Sequence, residues 1–115
     1  MNQLALFNEI ISLYLKHGWR LERLLLAPQT RAECEAELAA NSSFQDVVIR
    51  EAAVDAVWFK RAAGQGGREA WELRLAADVP YALFETFEAD EAEDEREDVR
   101  REMESRLIAH AHGGA

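Results

Sequence analysis

The stretch VDAVWFKRAAGQGGREAWELRLA, residues 54–76, decides the fold class. Two apolar runs of period two flank a glycine-rich turn at Gly64, Gly66 and Gly67, the pattern of a β-hairpin with a loop of several residues. Val54 to Arg61 forms the outgoing strand and Arg68 to Ala76 the returning one, with Trp71, Leu73 and Leu75 opposite in parity to Glu72 and Arg74. Downstream, Asp78-Val79-Pro80 turns the chain into a last strand from Tyr81 to Glu88. Upstream, Val47 and Ile49 mark a short strand joined to the hairpin by only a few residues. Links this short exclude a parallel crossover, so the reading is an antiparallel β-meander of about four strands.

Before the meander, Leu4 to His17 carries helical periodicity, with Gly18 as its stop and apolar side chains over roughly 200° of its circumference. Trp19 to Leu26 reads as a strand ended by Pro28, with Trp19, Leu21 and Leu25 on one parity and Leu24 and Leu26 on the other. Thr30 and Glu33 have capping-box spacing and open a short helix through Ala39. After the meander a C-terminal acidic helix starts near Asp90, with a narrow stripe of Ala92, Val99, Met103 and Leu107. Glu97 with Arg101 and Glu102 with Arg106 have the spacing of helical ion pairs. The expected architecture is α+β: helix, strand, short helix, antiparallel meander, acidic helix. It forms a single domain over residues 1–109, with a flexible tail at 110–115.

The chain has 115 residues, 49% hydrophobic and 30% charged, enough for one core. A net charge of −9, from 22 acidic and 13 basic residues, repels phosphate backbones and anionic lipid and argues against nucleic-acid and membrane partners. Cys34 stands alone, so the chain forms no internal disulfide. No basic leader precedes an apolar run of signal length, and no run approaches the roughly 20 residues of a membrane span. A cytoplasmic location is expected, and arginine in excess of lysine with abundant alanine fits a bacterial origin.

Groups that carry chemistry are sparse. The acidic run from Glu85 to Asp98 reads as a solvated helix start, because helical geometry spreads its carboxylates around the axis. His110 and His112 supply two imidazoles and no third ligand. Cys34 lies between Glu33 and Glu35, whose charges oppose a thiolate. The glycine turn lacks the lysine and helix of a phosphate loop. No catalytic set, cofactor or metal site is expected.

One pattern does point to function. Val57 and Phe59 alternate with Trp58 and Lys60, and Leu83 and Phe87 alternate with Ala82 and Phe84, so large apolar groups fall on both sheet faces. Either the helices divide between the faces in a three-layer monomer, or a face is covered by a second copy or another protein. Leu24, Trp58 and Phe84, ringed by Lys60 and Arg74, form the expected interaction surface. The leading expectation is a small non-enzymatic module for protein interaction, as a homodimer or with a protein partner. The alternative is a small-ligand or enzymatic cleft beside the sheet using Glu72, Arg74 or Glu85. An acidic mimic of nucleic acid has only the net charge behind it.

Overall fold

The computed structural model describes residues 3–113. In chain order the elements are α1 (Gln3–Lys16), β1 (Arg20–Leu26), α2 (Pro28–Ala40), a 3₁₀ turn (Ser42–Phe44), β2 (Val48–Glu51), β3 (Ala56–Ala62), β4 (Glu69–Leu75), β5 (Ala82–Phe87) and α3 (Glu93–Ala111). The five strands make one mixed sheet in the order β2-β1-β3-β4-β5. Only β3, β4 and β5 form the expected meander, and β1 pairs antiparallel with β3.

The four-strand antiparallel meander is corrected at β2, which pairs with β1 in parallel, Arg23 opposite Val48 and Leu26 opposite Glu51. The crossover this requires is α2, which joins β1 to β2 in a βαβ unit. The short link at residues 52–55 resembles a hairpin connection but passes across the end of β1 instead. It is tied there by the Ala52 amide donating to the Leu26 carbonyl at 2.9 Å. Asp55 completes the tie, accepting from the Ala27 amide at 2.8 Å and the Thr30 hydroxyl at 2.7 Å. That arrangement also revises the start of α2. Pro28 occupies the first turn and Ala27 precedes it without a side-chain cap, so a carboxylate remote in sequence does the work expected of Thr30 and Glu33.

The register shifts between Leu21 and Arg23, a bulge that inserts one residue into β1. Parity is therefore not conserved along the strand. Leu21 joins Leu24 and Leu26 in the layer beneath α1 and α2, while Leu25 faces the opposite layer. One core packs Phe7, Ile10, Ile11 and Tyr14 of α1 and Cys34 and Leu38 of α2 on Val57 and Phe59. The other packs Met103 and Leu107 of α3 on Trp58, Trp71, Leu73 and Phe87. The sheet is thus covered by helices on both faces. Burial raises the Cys34 thiol pKa, assisted by Glu37, Glu33 and Asp55, which leaves it a protonated core side chain.

Polar groups the helical stripe did not reveal fasten α3. Arg100, 1% exposed, lies 4.4 Å from the Trp71 ring centroid and pairs with Glu93 and, at 2.9 Å, with Glu97. Glu97 also takes both guanidinium nitrogens of Arg23, at 3.2 and 3.0 Å. Burial pulls the Glu97 carboxyl upward in pKa, but Arg23 and Arg100 outweigh it and leave the group below the usual carboxylate range. Glu104 accepts from the Trp58 indole at 2.8 Å and from Arg50 at 2.6 Å. The expected Glu97–Arg101 pair is replaced, because Glu97 turns to the sheet and Arg101 pairs with Asp98.

The helix begins at Glu93 rather than near Asp90, and it continues through Ala111, past the boundary expected at residue 109. His110 stacks on Tyr81 with centroids 3.6 Å apart, and His112 contacts the Ala53 carbonyl at 3.1 Å. The two imidazoles therefore engage different neighbours. The last two tail residues, 114 and 115, lie outside the described residues. Among the described residues no helix is long and apolar enough to cross a membrane.

Candidate interaction surface

Strand register divides the five residues expected to share one surface. Leu24, 1% exposed, sits opposite Val57 beneath α1 and α2. Trp58 is fully buried on the other face, beneath α3. Lys60 shares the Trp58 face and is held by Glu69 at 3.2 Å and Glu22 at 3.5 Å, with its ammonium near the Trp71 ring. Phe84 and Arg74 belong to the α1 face, where Phe84 lies opposite Glu72 and Arg74 opposite Ala82. The five therefore fall into two sets: Leu24, Phe84 and Arg74 on the α1 face, where Leu24 is buried, and Trp58 with Lys60 on the α3 face. The alternation along β3 and β4 makes this division.

The part of the α1 face that the helices leave bare is the β4–β5 side. α1 and α2 pack over β1 and β3, so Ala82, Phe84 and Thr86 of the last strand face solvent. Phe84 is 56% exposed, and its ring meets Trp19 edge-on at 6.3 Å between centroids. Leu13 of α1 is 49% exposed. The wide apolar arc of α1 explains this: Phe7, Ile10, Ile11 and Tyr14 satisfy the sheet, and Leu13 and Leu15 are left over. A shallow concavity of about 210 Å³ is lined by Leu13, Tyr14, His17, Trp19 and Arg74.

The polar groups of this face are arranged for structure rather than proton transfer. Tyr14 stacks on Phe59 with centroids 4.0 Å apart and donates its hydroxyl to Glu72. Burial, reinforced by the Glu72 carboxylate, pushes the Tyr14 phenol up to about 12. A general acid or base works best with a pKa near the operating pH, and this phenol is moved away from it. Arg61 places its guanidinium 4.4 Å from the Trp19 ring centroid and donates to the His17 carbonyl at 3.2 Å, which fixes the indole beneath Phe84.

The comparisons with known proteins give no match. No protein-family model matches the chain, and neither a curated protein nor a solved structure does.

Glu72, Arg74 and Glu85 do not converge on one cleft. Glu72 and Arg74 share the α1 face, whereas Glu85 lies opposite Trp71 on the α3 side. There it lines a second concavity, about 240 Å³, between β5 and α3, with Leu83, Val99, Glu102, Met103 and Arg106. The sequence reading missed Trp19, Tyr14 and Leu13 as surface-building residues. The signal was present in the surplus arc of α1, but which leucine remains exposed depends on where the helix crosses the sheet.

Proposed function

We propose that the protein is a non-enzymatic interaction module that docks a protein partner on the β5 side of its sheet. The observation that carries this reading is Phe84, a large aromatic more than half exposed on a strand whose neighbours Ala82 and Thr86 are also bare, with its ring against Trp19, which shares a concavity with exposed Leu13. Aromatic anchors contribute a large share of binding energy at protein interfaces. The polar groups beside Phe84 fit the same reading, since the Tyr14 hydroxyl donates to Glu72 and its phenol is pushed up to about 12, away from the range useful for proton transfer. The place of action we assign is the cytosol, where the buried, lone Cys34 remains a thiol.

The test is selection of peptides from a random display library on the immobilised wild-type chain, followed by titration against Phe84→Ser. Loss of an aromatic anchor weakens binding by about 30-fold at 2 kcal/mol. Selected peptides that bind both proteins equally would overturn the reading. Molar mass by light scattering separates the partner classes: a dimer returned to monomer by Phe84→Ser would assign the surface to a second copy.

A further inference from the structure

Among the described residues β5 closes one end of the sheet, with β4 as its only strand neighbour. The Leu75 amide donates to the Tyr81 carbonyl at 2.9 Å, which makes these opposed residues a hydrogen-bonded pair. In an antiparallel ladder such pairs alternate with non-bonded ones, so Leu83, Glu85 and Phe87 also point their backbone groups toward β4. Ala82, Phe84 and Thr86 then direct their N–H and C=O groups outward. Local side chains answer part of this exposure: the Thr86 amide meets the Glu85 carboxylate at 3.3 Å, and the following Glu88 amide meets Glu91 at 2.8 Å. An open edge of this kind pairs with any suitable extended chain unless it is blocked.

The edge is bordered by the mainly polar β5–α3 groove, in which Glu85, Glu102 and Arg106 stand beside Leu83, Phe84, Val99 and Met103. Among the described residues none of these three charged groups makes an ion pair, so the expected Glu102–Arg106 pair does not form. The groove therefore holds two carboxylates against one guanidinium, on a chain of net charge −9. Resting on the docking function proposed above, we infer that β5 accepts an extended segment of a different protein by strand addition, and that this segment alternates apolar and basic residues. Its outward N–H and C=O groups pair with those of Ala82, Phe84 and Thr86. On the α3 side, arginine or lysine stems lie on Leu83 and Val99 and bring their charges to Glu85 and Glu102. On the other side, apolar residues pack beside Phe84.

A second copy fits this edge poorly. Residues opposed in an antiparallel pair share a face, so a β5–β5 pairing would place the copy's Glu85 on the α3 side as well. Carboxylate would then meet carboxylate in a groove that already holds two. The opposite edge is a weaker acceptor, because β2 has four residues and its Arg50 is already engaged by Glu104.

The experiment uses the full chain and a capped hexapeptide alternating valine with arginine. Controls are a valine–glutamate peptide of the same pattern and a valine–arginine peptide in which the two residue types are segregated. Hydrogen exchange read by NMR should slow at the Ala82, Phe84 and Thr86 amides on adding the alternating basic peptide. The Glu85→Gln/Glu102→Gln double variant, altered only at exposed positions, should bind it roughly two- to thirtyfold more weakly, the range for two partly exposed charge pairs. Failure of those three amides to gain protection, or equal binding of the glutamate peptide, would overturn the inference. If display-selected peptides still bind in a Phe84-dependent way without that protection, docking stands and strand addition falls. If neither occurs, both fall. Protection that rises with protein concentration alone, with a dimer mass, would replace the foreign segment by a second copy and also refute the inference.

Discussion

Replacing Glu104 by alanine removes a single oxygen on which two donors converge, the indole N–H of Trp58 and a guanidinium nitrogen of Arg50. Trp58 is fully buried, so its N–H has no access to water once the carboxylate is gone. A hydrogen bond to an ionised acceptor contributes about 1.5–3 kcal/mol, and leaving a buried donor unmet lies in the same range. Arg50 is 45% exposed and can rehydrate, so its share is that of a surface pair, about 0.2–1 kcal/mol. Glu104→Ala should therefore destabilise the fold by about 2–4 kcal/mol. Glu104→Gln retains a carbonyl acceptor of nearly the same shape and should cost about 1 kcal/mol. Trp58→Phe in the Glu104→Ala background should cost less than in the wild type, because the orphaned N–H is removed with the ring. The assay is urea unfolding followed by far-ultraviolet circular dichroism for all variants, with an unchanged denaturant slope as the check on two-state behaviour. A cost below about 0.5 kcal/mol for Glu104→Ala, the level of an ordinary surface substitution, would refute the assignment of Glu104 as the polar anchor of α3.

Two further predictions follow from the α3 attachment. Arg100 spends a buried guanidinium, with one nitrogen unpartnered, between Trp71 and its acidic neighbours. Arg100→Met should keep stability within about 1 kcal/mol, as hydrophobic replacements of buried ions often do, whereas Arg100→Ala should lose about 2–4 kcal/mol by opening a cavity. Urea titration distinguishes them, and equal losses would show that charge rather than volume holds the site. The Glu97 carboxyl is depressed in the folded state, so its stabilisation is complete above its unfolded pKa of about 4.3 and disappears as pH falls through the lower folded value. Glu97→Gln should be the less stable protein at neutral pH and should lose less stability as pH falls below the ordinary carboxylate range. Parallel acid-unfolding curves for the two proteins would refute this.

How far the amino-acid sequence determines this protein is clearest element by element. The hairpin at 54–76 is local information: two period-two runs and three glycines, each with φ near +80° in the structure, specify strand, turn and strand without outside help. The helical identity of α1 and α3, the strand at β1 and the stop at Gly18 are legible for the same reason. The parallel pairing of β2 is not, because a four-residue link permits either a hairpin or a crossing of the β1 end. The choice is made by Asp55 reaching Ala27 and Thr30, nearly thirty residues away. The bulge in β1 is equally nonlocal, and by shifting parity within the strand it decides which leucines share a layer. That shift, together with strand register, is why Leu24, Trp58 and Phe84 could be recognised as large apolar groups on strands but not assigned to one surface. The sequence alone determined that large apolar side chains fall on both sheet faces and that both need cover. Only the tertiary structure decided which faces the helices close, because burial is a property of neighbours distant in sequence. It is this three-dimensional packing that leaves Phe84 and the outer edge of β5 open.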